Sequence, residues 1–391
     1  MNFLSELMIG TYLKDSTLAA SSFMNLIKLF IVNGGIDREY LPKALSIAMA
    51  SFLTIPYRVF EQVKFARKLA ELQINLPPIF IIGHHRSGTT YFHDLMSRDP
   101  NFGYLEHWQG MRGSEIFLSS PELAKHWANS KYPRKRTSDE IMVLANSPVE
   151  EEFALANSSP YSFYASLFFP RNMKKIFQQF VLFEDDNEQI KTQWKKAYTT
   201  ILKRIVLSKK EKNLLLKNPV NTARIKILLE IFPDAKFIYL YRNPYTIYAS
   251  TIQLYTRILA QSALQNITEV ELEENIIFIY QQMMQKYLVE KNYIPPENLI
   301  EIRYEDFIGN EIIYLKRIYT QFKLSDFEQS ESEFKKYIDS QDRYKTNKYI
   351  LDEETITKIT EQWRFTIEKW KYDVPDELRA YPENGSSLES V

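Results

Sequence analysis

The chain has 391 residues, 45% of them hydrophobic and 25% charged, so it can bury a large core and is not a disordered polymer. Lysine plus arginine equals aspartate plus glutamate at 49 each, which argues against a nucleic-acid or general polyanion binder. With no cysteine there are no disulfides, thiolate metal sites or cysteine nucleophiles, and the five histidines form no metalloprotease-type helix pair, so no metal is expected.

Residues 1–75 read as an apolar helical extension. The stretches SFMNLIKLFIV and YLPKALSIAMASFLTIPYRVFEQVKFARKLAELQ carry apolar residues at helical spacing, with basic residues gathered late. Two roles suit such a segment: a cap packed on the main domain, or helices lying on a membrane surface with flanking lysine and arginine among the headgroups. The start MNFLSELMIG carries Glu6 and no basic region, so no cleavable leader is expected. The uncharged run Ala44 to Tyr57 is too short to span a bilayer. The expectation is a cytoplasmic protein, with a peripheral membrane contact if the second role holds.

A main α/β domain is expected over residues 76–375, followed by a polar tail over 376–391. PPIFIIG reads as a buried strand that runs through a glycine-containing turn into the helix YFHDLMSRD. Downstream, Asn213 to Leu216 reads as a strand, Thr222 to Ile231 as a helix and Lys236 to Tyr241 as a buried strand. A helix opens at Pro244 and passes Ser250, Glu269 to Lys291 is a long helix, and Asn298 to Arg303 a further strand. From there to about Tyr372 the pattern is mostly helical.

Two motifs carry chemistry. Gly83-His84-His85-Arg86-Ser87-Gly88-Thr89-Thr90 follows a strand and opens a helix, so its backbone N–H groups and the helix N-terminus can cradle an anion. Its spacing matches the Walker phosphate loop, but Thr89 stands where that loop has lysine. The second motif places Arg242 at a strand end and Ser250 eight residues on, in the following helix. A guanidinium fork and a hydroxyl so placed can converge on one phosphate.

Together these motifs resemble the PAPS-dependent sulfotransferase superfamily, closest to its broad bacterial-type branch. The resemblance runs over roughly residues 77 to 370, through GHHRSGTT, SPVEEEFALAN, LLLKNPVNTARIKILLEIFPDAKFIYLYRNPYTIYAS and IRYEDF. It implies a P-loop-type parallel sheet flanked by helices, with the N-terminal helical extension added. It also implies sulfuryl transfer from PAPS (3′-phosphoadenosine 5′-phosphosulfate, product PAP) to a hydroxyl. Arg86, Ser87, Gly88, Thr89 and Thr90 would then hold the 5′-phosphosulfate, and Arg242 and Ser250 the 3′-phosphate. Lys345 and Lys348, in RYKTNKY, would belong to a late basic loop closing over the nucleotide, or else to an exposed charged helix face.

The acceptor hydroxyl needs a base. Glu106 and His107 in GYLEHWQG are one candidate pair, and Glu151 or Glu152 in SPVEEEFAL another. Structural roles compete with these: Glu106 pairing with Arg112, and the glutamate triplet starting a helix after Pro148. Arg86 and Lys217 are candidate cations for charge developing in transfer. The aromatic stretch ANSSPYSFYASLFFPRN suits a pocket for a hydrophobic or lipid-like alcohol as well as it suits core. The rival functions are a P-loop NTPase or kinase and a non-catalytic nucleotide-binding or membrane-docking protein. The oligomeric state stays open.

Overall fold

Short apolar runs separated by helices pair as a parallel sheet in the computed structural model, which describes residues 17–112, 118, 134–135, 142–184, 187–209, 212–341 and 349–379. The strands are β1 (Ile79–Ile82), β2 (Phe102–Gly103), β3 (Arg134–Lys135), β4 (Met142–Val143), β5 (Asn213–Lys217), β6 (Lys236–Tyr241) and β7 (Leu299–Arg303). β3 and β4 form a separate antiparallel ribbon. The other five form one sheet in the order β2-β5-β1-β6-β7, with every pairing parallel. β1 is central, Ile79 standing beside Leu215 on one side and Lys236 on the other. Loops leaving the carboxyl ends of β1, β5 and β6 therefore converge at the crevice where the strand order reverses, the usual ligand position in open α/β sheets.

Alternation along the strands sends side chains to two buried faces. Ile79, Ile81, Leu215, Ile238 and Leu240 pack on the helices α4 (Thr89–Met96), α11 (Glu311–Phe322) and α12 (Phe327–Gln341). Phe80, Ile82, Leu216, Phe237 and Tyr239 face a larger cluster. That cluster includes residues of α6 (Glu151–Ser158), α7 (Glu188–Ser208), α8 (Ile225–Ile231), α9 (Pro244–Ser262), α10 (Glu269–Glu290) and α13 (Glu353–Trp370). Further helices include α1 (Phe23–Val32), α2 (Leu41–Leu53), α3 (Ile55–Glu71) and α5 (His107–Arg112), and short helical turns such as Met173–Phe177 and Tyr304–Phe307 join the rest. The strands expected at Pro77, Asn213, Lys236 and Asn298 are present, and so is the long helix after Thr268, which opens on a full capping box with Glu271.

The N-terminal helices share the larger core through Leu18, Leu26, Leu29 and Ile47. Ser22 N–H donates to Asn157 O (2.9 Å) and Asn25 Nδ2 to Ala156 O (2.8 Å), tying the start of α1 to the end of α6. A buried ion pair, Arg204 Nη1 to Glu61 Oε1 at 2.8 Å, fastens α3 to α7. No described helix is long and apolar enough to cross a membrane.

Candidate active site

The loop after β1 is shaped by two glycines that nothing larger can replace. Gly83 has φ +142°, and a Cβ there would lie 2.3 Å from Leu240 O in the neighbouring strand. Gly88 has φ +92°, and its Cβ would fall 2.3 Å from the Tyr304 ring. Between them Arg86 takes φ 71°, a left-handed conformation that costs a non-glycine residue about 1–2 kcal/mol. The turn is held from within by Ser87 N–H and Ser87 Oγ, both donating to His84 O (3.2 and 2.8 Å). Gly83 N–H donates to Thr222 Oγ1 (2.7 Å), fixing the loop's start. α4 begins at Thr89, so the first N–H groups of that helix have no intrahelical acceptor and stand at the loop's concave side.

Arg86, Arg242 and Ser250 meet at one side of this loop. Arg86 Nε donates to Ser250 Oγ (2.8 Å), and Arg242 Nη1 donates to Arg86 O (3.2 Å). The Arg242 guanidinium lies 4.3 Å from the Tyr304 ring centroid, the same ring that crowds Gly88. Glu305, the next residue, accepts from Asn243 N–H (2.9 Å) and Tyr372 OH (2.7 Å), which fixes the chain just after Arg242. Tyr349 OH also donates to Ser250 Oγ (2.9 Å). Two arginines, a serine and two tyrosines thus meet here, a donor set that suits a phosphate, and the glycine-shaped loop beside them suits a second anion. Lys345 and Lys348 lie outside the described residues.

The three consecutive glutamates meet three different surroundings. Glu150, at the N-cap of α6, binds Lys217 Nζ and Tyr164 OH. Lys217, 3% exposed at the end of β5, also reaches Thr90 Oγ1 (3.3 Å) in the phosphate-type loop. Glu151 is 1% exposed and accepts from Tyr198 OH (2.6 Å) and Asn221 Nδ2 (3.0 Å); its Oε2 is buried without a partner. Burial pushes its carboxyl up to about 7, against the lowering effect of Tyr198. Glu152 accepts from Arg224 Nη1 (2.8 Å), Asn218 Nδ2 (2.7 Å), Ser162 Oγ (2.9 Å) and Phe163 N–H (2.8 Å). Burial alone would raise it, but the Arg224 charge and these hydrogen bonds hold it below the ordinary carboxylate value.

The other acidic candidate lies at the sheet edge. Glu106 Oε1 pairs with Lys209 Nζ (2.6 Å), and its Oε2 accepts from Trp108 Nε1 (2.6 Å). His107 is 7% exposed, and its backbone N–H donates to Ser147 O (2.8 Å). The segment Leu105 to His107 runs beside Ser147 to Val149, so the two acidic motifs are neighbours, while Glu106 and Glu150 hold different lysines.

His85 forms part of the wall next to Glu150. Its ring centroid lies 6.3 Å from those of Phe163 and Tyr255 and 6.5 Å from that of Tyr164, and its Nδ1 is buried without a partner. Burial, with the nearby Lys217 and Arg86 charges, lowers it to about 3, so the imidazole is neutral. Phe163 and Tyr164 come from the aromatic stretch read as core or pocket, and both are buried. Among the described residues no group of three or more histidines and carboxylates stands ready to hold a metal.

A parallel sheet with a glycine-shaped loop, a strand-end arginine answered by a helix serine, and a lysine–carboxylate pair is an arrangement suited to an α/β enzyme that binds anionic groups. The description "Sulfotransferase family" matches residues 77–329, and the chain belongs to that family. It is 30% identical over 333 residues to omega-hydroxy-beta-dihydromenaquinone-9 sulfotransferase Stf3 of Mycobacterium bovis, an alignment covering 84% of each chain, with the same figures for the protein of that name in Mycobacterium tuberculosis. Two solved structures share its fold. Sulfotransferase STF9 from Mycobacterium avium superposes with a TM-score of 0.68 at 17% identity, covering 90% of this chain and 91% of that one. Sulfotransferase STF1 from Mycobacterium tuberculosis H37Rv gives 0.60 at 17% identity, covering 87% and 90%.

Proposed function

We propose that this sulfotransferase uses PAPS as donor and sulfates a hydroxyl of a hydrophobic, lipid-like acceptor, working in the cytoplasm. The observation that carries the reading is the joining of three parts in one crevice: the glycine-shaped loop, the Arg86–Ser250–Arg242 cluster, and the Lys217–Glu150 pair touching Thr90. The donor set fits the nucleotide: loop N–H groups, Ser87, Gly88, Thr89 and Thr90 for the phosphosulfate, and Arg242 with Ser250 for the 3′-phosphate. PAPS would supply an activated sulfuryl group with a phosphate leaving group.

Glu150 is the carboxylate we assign as base, in preference to Glu106, His107 or Glu151. It alone of the glutamates considered is joined to the loop through Lys217, whereas Glu106 is held by Lys209 and Trp108, and Glu151 is enclosed by Tyr198 and Asn221. In transfer the acceptor O–H gives its proton to Glu150, the acceptor oxygen bonds to sulfur, and the bond from sulfur to the phosphate oxygen breaks. Lys217 and Arg86 stabilise the negative charge left on that oxygen, and losing one such contact costs about 2.7–4 kcal/mol of barrier. The aromatic wall of Phe163, Tyr164 and Tyr255 favours an apolar acceptor body, in keeping with the menaquinone derivative named for the Stf3 relatives.

The test is calorimetric titration with PAP beside Mg-ATP, followed by transfer of labelled sulfate to a panel of lipid and polar alcohols. PAP should bind without metal and ATP weakly. Glu150→Gln should lower turnover about 10²–10⁴-fold while PAP affinity holds. Preference for Mg-ATP would refute the donor, polar glycans sulfated ahead of lipid alcohols would refute the acceptor, and full turnover in Glu150→Gln would refute the base.

A further inference from the structure

Helices α2 and α3 each bury polar side chains and expose apolar ones, although α2 also sets Ala44 and Ile47 into the core. On α2, Ser46 and Ser51 are buried, while Leu45, Met49 and Phe52 are 62%, 54% and 57% exposed on one helical face. On α3, Arg58 and Glu61 are buried at 6% and 0%, while Phe60 and Val63 are 56% and 75% exposed. A helix facing only water has the reverse arrangement, with its apolar stripe turned to the core. Exposed apolar residues scattered singly need no explanation, but several grouped on each of two successive helices mark a contact surface.

The charges exposed on these helices are mostly cationic; the exposed carboxylates at their margins are Glu39, in the turn before α2, and Glu71, at the end of α3. Across α1, α2 and α3 as far as Ala70, the exposed charged residues are Lys28, Lys64, Arg67 and Lys68. The only carboxylate in those helices before Glu71 is Glu61, which is buried against Arg204; Glu71 closes α3 and pairs with Arg67 at 2.8 Å. Phe60, Val63, Lys64 and Arg67 follow one another at helical spacing, so apolar surface grades into cationic surface along one side of α3. An apolar face edged by cations complements an anionic bilayer, where alkyl and aromatic groups enter the acyl boundary and the cations meet lipid phosphates.

The same helices are tied to the catalytic layer. α1 joins the end of α6, whose other end carries Glu150, and Lys43 of α2 donates to Ala263 O (3.1 Å) just past the helix that carries Ser250 and Tyr255. We propose that the exposed face of α2 and α3 docks this enzyme in the plane of an anionic membrane, from which the acceptor is drawn. This deepens the lipid-acceptor reading and rests on it for the purpose of docking; the surface argument itself rests on exposure and charge.

The experiment is flotation of the full chain with phosphatidylcholine vesicles, with and without about one third phosphatidylglycerol, alongside PAP calorimetry and sedimentation velocity. The wild-type chain should float with the anionic vesicles. Leu45→Glu combined with Met49→Glu and Phe60→Glu should abolish flotation, and Lys64→Glu, Arg67→Glu and Lys68→Glu together should weaken it on the order of a hundredfold. Both variants change exposed residues, so PAP binding and circular dichroism should match wild type. A chain that binds PAP yet stays off both kinds of vesicle overturns the proposal. So does a dimer that the apolar variant dissolves, because the face then belongs to a second copy. Flotation without PAP binding leaves the docking surface standing and overturns the donor reading instead.

Discussion

Replacing Glu151 by glutamine should stabilise the fold at alkaline pH relative to wild type and leave sulfuryl transfer intact. The glutamine keeps an acceptor for Tyr198 and Asn221, and its amide nitrogen occupies the position of the unpartnered Oε2. The wild-type carboxyl is raised by burial from 4.5 to about 7, so between those values the folded state binds a proton that the unfolded chain has released. Stability from this group is full below pH 4.5 and is lost as pH rises through 7, a total on the order of 3 kcal/mol. Between about pH 5.5 and about pH 8.5 the share lost is about 2 kcal/mol. Urea denaturation of both proteins at those two pH values measures it: wild type should lose this increment relative to Glu151→Gln. Parallel pH dependence in the two proteins refutes the argument from burial. A folded Glu151→Gln protein that binds PAP but transfers no sulfuryl group would make Glu151 the base and remove Glu150 from that role.

Two further substitutions test separate parts of the site and its support. Arg242→Ala should weaken PAP between about tenfold and about a hundredfold in calorimetry, as expected for hydrogen bonds to a charged phosphate, and change little for the analogue lacking the 3′-phosphate; equal losses for both ligands would mean that Arg242 does not read that phosphate. Glu61→Ala leaves Arg204 buried without its carboxylate and should cost about 3–5 kcal/mol of unfolding free energy, with α1 to α3 cut first in limited proteolysis. Unchanged stability would show that the N-terminal helices are held by their apolar contacts and hydrogen bonds without help from this ion pair.

The main strands were legible because each is a short apolar run closed by glycine, proline or charge, and burial on both faces leaves that signature. β2 was not legible: two residues, Phe102 and Gly103, carry no periodicity, and only their pairing with Asn213 and Leu214 makes them a strand. The phosphate-type loop and the Arg242–Ser250 spacing were visible in sequence because local chain geometry sets them. The sequence assigned Arg86 to one end of the donor and Ser250 to the other, and nothing local tells that the two side chains touch. The glutamate triplet was visible as a motif, but which member reaches Lys217 depends on the entry angle of α6, a tertiary property. Tyr304 and Glu305 stood inside the quoted IRYEDF, yet their work on Arg242 and Asn243 crosses from one strand end to the next.

Glu151 and Glu152 point about 100° apart in the first turn of α6, and the extended N-cap Glu150 takes a third direction, so the three act as a key with three teeth. One tooth meets Lys217, one enters the Tyr198–Asn221 socket, and one locks on Arg224. Adding or removing one residue between Pro148 and Phe153 would turn the key by a single step. A different carboxylate would then face the loop, and Arg224 would lose the partner that allows it to lie fully buried. The length of this segment is thus constrained as tightly as its charges, and glutamate-for-glutamate replacement by shifting the chain would fail where point substitution at one position succeeds.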